Sequence, residues 1–293
     1  MKSELCELDE LQVTVIVEDS AGFDSGLLAQ HGVSFLVEAR YREKKMRLLF
    51  DTGQDAEPLL HNMRQLGIDP KKMDMVVLSH CHYDHSGGLM GFLQAADSQR
   101  LPGIAHPTIF RPNFTMNPLL RTHAMVPGTS SDSIEKAGGD LLLTREPLSL
   151  FPGVITSGEI EDIVEFEQDL TLKAYTLSDG RVIQDRLSDD LSLFFRLPRG
   201  LVILSGCSHP GIISIVEKAK SLTGISKVAA VIGGFHLISA DDQRINETLN
   251  VFKAMDDAEV YTGHCTGFKA SCVLSANLKE RFHKLQTGLK INF

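Results

Sequence analysis

The stretch Met75-Val76-Val77-Leu78-Ser79-His80-Cys81-His82-Tyr83-Asp84-His85-Ser86-Gly87-Gly88 constrains this chain more than any other. Its apolar start reads as a buried strand, beyond whose end His80 and His82, two residues apart, point to the same side. Asp84-His85-Ser86-Gly87-Gly88 then breaks the alternation, so the chain turns and brings a carboxylate and a third imidazole beside the first pair. Nitrogen and oxygen donors this close suit a first-row metal such as zinc, manganese or iron. A single histidine would read as an ordinary surface or core residue; three with an aspartate between His80 and His85 read as a metal site.

H-x-H-x-D-H after an apolar strand resembles the signature of the metallo-β-lactamase superfamily, and the match here is complete. The resemblance implies an α/β (α+β) chain folded as a four-layer αββα sandwich with one or two divalent metals, zinc foremost, at the edge of the sheets. His80 and His82 would then serve one metal, Asp84 and His85 the other. Such a motif marks a superfamily and leaves the substrate open.

Composition narrows the classes. At 293 residues, with 43% hydrophobic and 23% charged residues, the chain reads as a soluble globular protein, taken as one domain over 1–293. A net charge of −9, with scattered Lys and Arg, argues against a polyanionic partner. No Trp and only four Tyr leave few platforms for stacked bases, so no nucleic acid is expected. The acidic start from Met1 to Glu10 shows no secretory signal, no apolar run reaches spanning length, and five unpaired-looking cysteines suit the cytoplasm. The expected partner is a small, anionic molecule, with a homo-oligomer left open.

In chain order, Leu11 to Val17, Val33 to Ala39 and Met46 to Phe50 read as strands, the last ending in Asp51-Thr52-Gly53. A helix follows from Ala56 to Leu66, stopped by Gly67, and another runs from about Gly88 to Ala96. From Leu101 to Gly139 five prolines alternate with Gly and Asn, which predicts a loop-rich insertion over the site rather than a long helix or a central strand. His106, Arg111, Arg121 and His123 are its anion-recognising candidates, each taken singly reading better as a surface residue. Strands are expected again at Leu141 to Thr144, Val154 to Thr156, Leu172 to Tyr175, Leu191 to Leu197 and Leu201 to Ser205. The last two are joined by the hairpin turn Pro198-Arg199-Gly200.

Leu201 to Ser205 runs into Gly206-Cys207-Ser208-His209-Pro210-Gly211 and a helix from Ile212 to Lys220, placing His209 at the same kind of strand end as His80. His209 is therefore the third donor expected at the first metal. Val228 to Ile232 likewise delivers Gly233-Gly234-Phe235-His236. A helix from Asp241 to Met255 and a strand Glu259 to Thr262 lead to Gly263-His264-Cys265-Thr266-Gly267, and a helix from Lys269 to about Lys284 closes the chain. Cys81 reads as buried filler, because its neighbours point the other way. His31, His61 and His283 lack comparable context and default to structural or surface roles.

The resemblance assigns Asp51 to orienting the donors and His264 to the second metal. It also exposes a departure: the superfamily usually closes the Leu201–Ser205 strand with Gly-Asp, whose carboxylate bridges two metals, whereas this chain has Gly206-Cys207. Cys207 as a thiolate, or Asp189 and Asp190, could take that place, or Cys207 could merely pack. With the other positions filled, His236 reads as an acid or transition-state donor. SGCSHPG, GGFHL and GHCTG, together with Thr156-Ser157-Gly158-Glu159-Ile160, resemble a prokaryotic subfamily, some of whose members bear the name of a dihydropterin ribofuranosylaminobenzene phosphate synthase.

The residues favour hydrolysis of a small phosphoester, thioester or lactone, since such a metal lowers the pKa of a bound water from about 15.7 toward about 7. Asp84 would orient that water or pass on its proton. The alternatives are a dihydropterin-related synthase of the tetrahydromethanopterin type and a non-catalytic metal or ligand sensor. Redox diiron proteins of the superfamily usually carry Glu for the second His of the motif, so His82 speaks against that chemistry.

Overall fold

Successive buried side chains along the strands enter different layers. In the strand Ser34–Tyr41, Phe35, Val37 and Ala39 enter one apolar cluster while Leu36 enters another, and Leu48 and Phe50 part from Leu49 in the same way in Lys44–Phe50. Val202 and Leu204 likewise part from Leu201 and Ile203 in Gly200–Ser205. Strands buried on both faces must be covered on both, which requires two sheets and two helical layers.

The computed structural model describes residues 5–97, 100–161, 163–168 and 173–293. Among them, one seven-stranded sheet runs in the order Lys290–Asn292, Glu10–Val17, Ser34–Tyr41, Lys44–Phe50, Met75–Val77, Leu101–Ala105 and Gly139–Leu143. The other runs Phe282–Lys284, Glu259–Gly263, Val228–Gly234, Gly200–Ser205, Ser192–Leu197, Val154–Thr156 and Ser149–Phe151. Phe35, Val37, Phe50, Phe195, Val202 and Ile232 fill the space between the sheets. Helices Ala56–Gln65 and Leu89–Ala96 cover the first sheet through Leu59, Met63 and Phe92. Helices Ile212–Thr223, Asp242–Ala254 and Phe268–Leu278 cover the second through Val216, Phe252 and Leu274. The result is the αββα sandwich expected from the sequence.

Strand direction positions the site. Met75–Val77 runs parallel to both of its neighbours, and Gly200–Ser205, Val228–Gly234 and Glu259–Gly263 run parallel to one another. Parallel strands finish at a common edge, so the segments after Phe50, Val77, Ser205, Gly234 and Gly263 emerge together.

The insertion starts later than the sequence suggested. Leu101–Ala105 is an interior strand, paired on both sides, despite Pro102. Its neighbour Met75–Val77 pairs only from Gly103 onward, so no bond on that side is asked of the proline. Beyond it, Phe114–Thr115 and Arg121–Thr122 join Tyr175–Ser178 and Arg181–Gln184 in a small four-stranded sheet, and Ser131–Lys136 is a helix capped by Ser130. Leu172, the expected start of one strand, lies outside the described residues. The last helix is shorter than expected: it ends at Leu278, and Phe282–Lys284 is a strand parallel to Glu259–Gly263. Among the described residues no helix is long and apolar enough to cross a membrane.

Candidate metal centre

The turn after Met75–Val77 is held from below by Asp51. One carboxylate oxygen accepts the Ser79 backbone N–H at 2.7 Å; the other accepts the Ser79 hydroxyl at 2.7 Å and lies 2.6 Å from His85 Nδ1. Ser79 Oγ is in turn 2.8 Å from His80 Nδ1. With the Nδ1 atoms of His80 and His85 occupied, their Nε2 atoms are left to face the centre, which is how an outer partner fixes tautomer and aim. Gly206 makes this approach possible, because a Cβ there would stand 2.5 Å from Ser79 Oγ and 2.8 Å from Asp51 Oδ2.

Two groups of donors meet above this support. His80, Cys207 and His209 place one donor atom each within 4.8 Å of one another, and so do Asp84, His85, Cys207 and His264. His80 Nε2 and His209 Nε2 face each other at 3.2 Å. His82, expected as a ligand, is in none of these groups: its ring centroid lies 4.6 Å from that of His80 and 4.9 Å from that of His209, and its Nε2 is 3.1 Å from Asn113 Oδ1. In the second group Asp84 Oδ2 lies 3.6 Å from His85 Nε2 and 3.3 Å from His264 Nε2. His264 Nδ1 is 2.8 Å from Asp19 Oδ1, and its backbone N–H donates to Glu18.

Cys207 belongs to both groups, its Sγ 3.1 Å from His85 Nε2. Asp189 and Asp190 do not stand between them. Asp189 accepts the Cys81 backbone N–H at 2.7 Å and pairs with Arg111 at 2.6 Å; Asp190 accepts the His209 backbone N–H at 2.7 Å. Both carboxylates brace loops, and neither joins a donor group among the described residues.

Burial pushes the His80 and His209 imidazoles well below the usual histidine value and His82 down to about 4. At neutral pH all three are uncharged, the form in which imidazole binds a metal. For Asp84, burial favours protonation but is outweighed by His85 and His264, so it is held well below the carboxylate range. Burial raises the Cys207 thiol, and Cys265 adds to the rise. Asp190, buried with one oxygen lacking a hydrogen-bond partner, is pushed up to about 8.

The backbone is strained around this cluster. Asp51, Ser208, His236 and His264 are non-glycine residues with φ of 59°, 62°, 46° and 46°, each at a cost of about 1–3 kcal/mol. They stand where strand ends deliver the donors.

Several participants escaped the sequence. His31, read as structural or surface, lies 3.4 Å from Asp84 Oδ2 and 3.2 Å from Asp19 Oδ2, so it borders the second group. Asn113 and Asp19 touch His82 and His264 but stand in loops without a pattern to mark them. Arg111 is not free for an anion, being tied to Asp185 at 2.7 Å and to Asp189, and His106 is buried against Glu159 at 3.3 Å. Arg121 is exposed, and His123 lies beside His82. Cys81 is buried in the apolar layer under the first sheet, as expected.

A two-sheet sandwich with nitrogen, oxygen and sulfur donors converging at one strand edge defines a metal-centred enzyme scaffold, and the donor set fits zinc or a similar ion. The family model of the metallo-beta-lactamase superfamily matches residues 29–209. The chain belongs to this metal-dependent superfamily, and is an enzyme of it. It is 44% identical over 289 residues to the 7,8-dihydropterin-6-methyl-4-(beta-D-ribofuranosyl)-aminobenzene-5'-phosphate synthase of Methanocaldococcus jannaschii, covering 98% of each chain. An uncharacterised protein of the same organism is 33% identical over 263 residues, covering 90% of this chain and 93% of that one. Among solved structures, a metal-dependent hydrolase of the beta-lactamase superfamily matches with a TM-score of 0.78 at 24% identity, covering 96% of this chain and 98% of that one; the likeness is one of fold.

Proposed function

We propose that this enzyme is a metal-dependent synthase that joins a 7,8-dihydropterin-6-methyl unit to a 4-(β-D-ribofuranosyl)aminobenzene 5'-phosphate. The observation that carries this reading is the 44% identity to the synthase of that name, sustained over 98% of both chains. It favours the synthase alternative over the hydrolysis suggested by the motif alone.

The linkage in the product's name is a bond between the pterin methylene carbon and the aryl amine. Forming it requires the amine as nucleophile and a phosphate or diphosphate ester on the methylene as leaving group. The carbon–nitrogen bond forms, the carbon–oxygen bond breaks, and the amine loses one proton. One or two divalent ions, zinc first and manganese or iron otherwise, would supply Lewis-acid charge to a departing oxyanion. His80, His82 and His209 would hold one, and Asp84, His85 and His264 the other, with Cys207 between them. Asp84, kept ionised among His85, His264 and His31, receives the amine proton; His236, its ring centroid 4.3 Å from that of His209, donates to the departing anion.

A second reading, hydrolysis of a phosphoester, thioester or lactone, draws on the buried Asp84 beside the intact histidine set, which suits water activation as well. The test is to supply the metal-loaded protein with the dihydropterin methyl phosphate or diphosphate, with and without the aryl amine. Coupled product seen by mass spectrometry only with the amine supports the synthase. Release of phosphate without the amine, or turnover confined to chromogenic esters, thioesters and lactones, overturns it in favour of hydrolysis; full metal occupancy with no turnover points to a sensor.

A further inference from the structure

Beside the two donor groups lies a third cluster, one member of which, Cys265, neither reading uses. Cys207 Sγ, Cys265 Sγ and a ring nitrogen of His236 lie within 4.8 Å of one another. Both cysteines are buried. The cluster follows from sheet register. Val228–Gly234 pairs in parallel with Gly200–Ser205 on one side, Leu204 against Ile232, and with Glu259–Gly263 on the other, Gly234 against Gly263. Cys207, His236 and Cys265 each stand two residues past their strand's end, so three adjacent strands bring their donors to one level.

The local backbone is shaped around the sulfur atoms. Cys265 Sγ receives the His236 backbone N–H at 3.3 Å and lies 3.5 Å from the Cys207 carbonyl oxygen. His236, one ring nitrogen of which joins the cluster, has a left-handed φ of 46°. At Gly234 a Cβ would stand 2.5 Å from Cys265 Sγ, so only glycine lets this strand end approach the thiol. Apolar packing of two cysteines would need none of these features.

We propose that Cys207, Cys265 and His236 form a third metal position, specific for a thiophilic cation such as Zn²⁺ or Cd²⁺, that shares the Cys207 sulfur with the neighbouring centre. Metal–sulfur bonds of about 2.3 Å and metal–nitrogen bonds of about 2.0–2.1 Å in a tetrahedron separate donors by less than about 4 Å, and the three donors here lie no more than 4.8 Å apart. Two thiolates and an imidazole select against Mg²⁺ and Mn²⁺, which prefer oxygen. Coordination through one ring nitrogen of His236 fixes the proton on the other, as its role as a donor to the leaving anion requires. The proposal deepens that reading but its test does not depend on turnover.

The experiment loads the metal-free, fully reduced protein with Cd²⁺, removes free ion, and measures cadmium per chain together with the thiolate–cadmium absorption. Cys265→Ala is expected to bind one ion fewer than the wild type and to lose roughly half of that absorption, one of two thiolates being gone. The His80→Ala/His82→Ala variant should show the converse, losing ions while keeping the absorption. Unchanged stoichiometry and absorption in folded Cys265→Ala overturn the proposal. X-ray absorption of the loaded wild type needs no variant to fold: a mean sulfur count above one per bound ion, more than the shared Cys207 alone can supply, supports the third position, and one or fewer per ion overturns it. Loss of ions from both histidine groups in Cys207→Ser, with Cys265→Ala silent, would leave the Cys207 bridge standing and remove only the third position.

Discussion

The two halves of the centre are built in opposite ways. The N-terminal half draws His80, His82, Asp84 and His85 from one turn, stiffened from below by Asp51 through Ser79 and His85. The C-terminal half takes Cys207, His209 and His264 from two separate strand ends, with His236 arriving from the strand between them. In the first, covalent neighbourhood does most of the placing; in the second, the parallel register of the sheet does. A single substitution should therefore cost the two halves differently.

The largest effect is expected from His80→Ala/His82→Ala. The purified wild type should carry zinc, manganese or iron, and the double variant should retain less than about a tenth of it by mass spectrometry. Full occupancy in that variant would show that the N-terminal turn does not hold the metal.

Next, His264→Ala should lower metal content, while His236→Ala should leave the ions at the other histidines in place and reduce turnover by about 10²–10⁴-fold, the range for a lost proton donor. If both variants lose those ions equally, the division between the two residues is wrong.

A smaller change is expected at the junction of the halves. Cys207→Ser should reduce occupancy of at least one metal, and Cys207→Asp should restore it by supplying a bridging oxygen. If the thiol only packs, Ser will be silent for metal and Asp will lower the melting temperature without metal. Metal stoichiometry and thermal melts of the three proteins decide between these outcomes.

Asp51→Asn removes charge behind the turn but no donor. Metal affinity should fall by about 10–100-fold, measured by competition with a chelator. The smallest effect on metal is expected for Gly206→Ala, whose Cβ would meet Ser79 Oγ at 2.5 Å. That clash should appear as about 1–3 kcal/mol of lost stability in denaturant unfolding, the usual cost of overpacking.

Legibility followed the same division. The turn from Ser79 to Ser86 could be read because its donors, its strand and its glycines are adjacent in the chain. His209, His236 and His264 could be placed at strand ends because each follows an apolar run and lies near glycine. Reading failed where the partner is distant and the local pattern neutral. His31 has nothing around it to suggest Asp84, and Asn113 sits in a proline-rich stretch that gives no reason to meet His82. Pro102 argued against an interior strand, yet the short neighbour Met75–Val77 left its missing N–H without consequence.

What the sequence determined by itself is a set of strands buried on both faces and one half of the centre; the αββα layering was what the family resemblance implied. Continuous apolar runs such as Leu201 to Leu204 demand burial on both faces of a strand, and donors as close as His80 to His85 meet at the turn that joins them. What only the tertiary structure decided is which distant groups share that edge. Sheet order and register bring Cys207 into both donor groups, aim Asp189 and Asp190 at backbone N–H groups instead, and set Cys265 beside His236. These outcomes depend on which residue of one strand faces which residue of the next, and register is set by the packing of whole sheets rather than by the residues that profit from it.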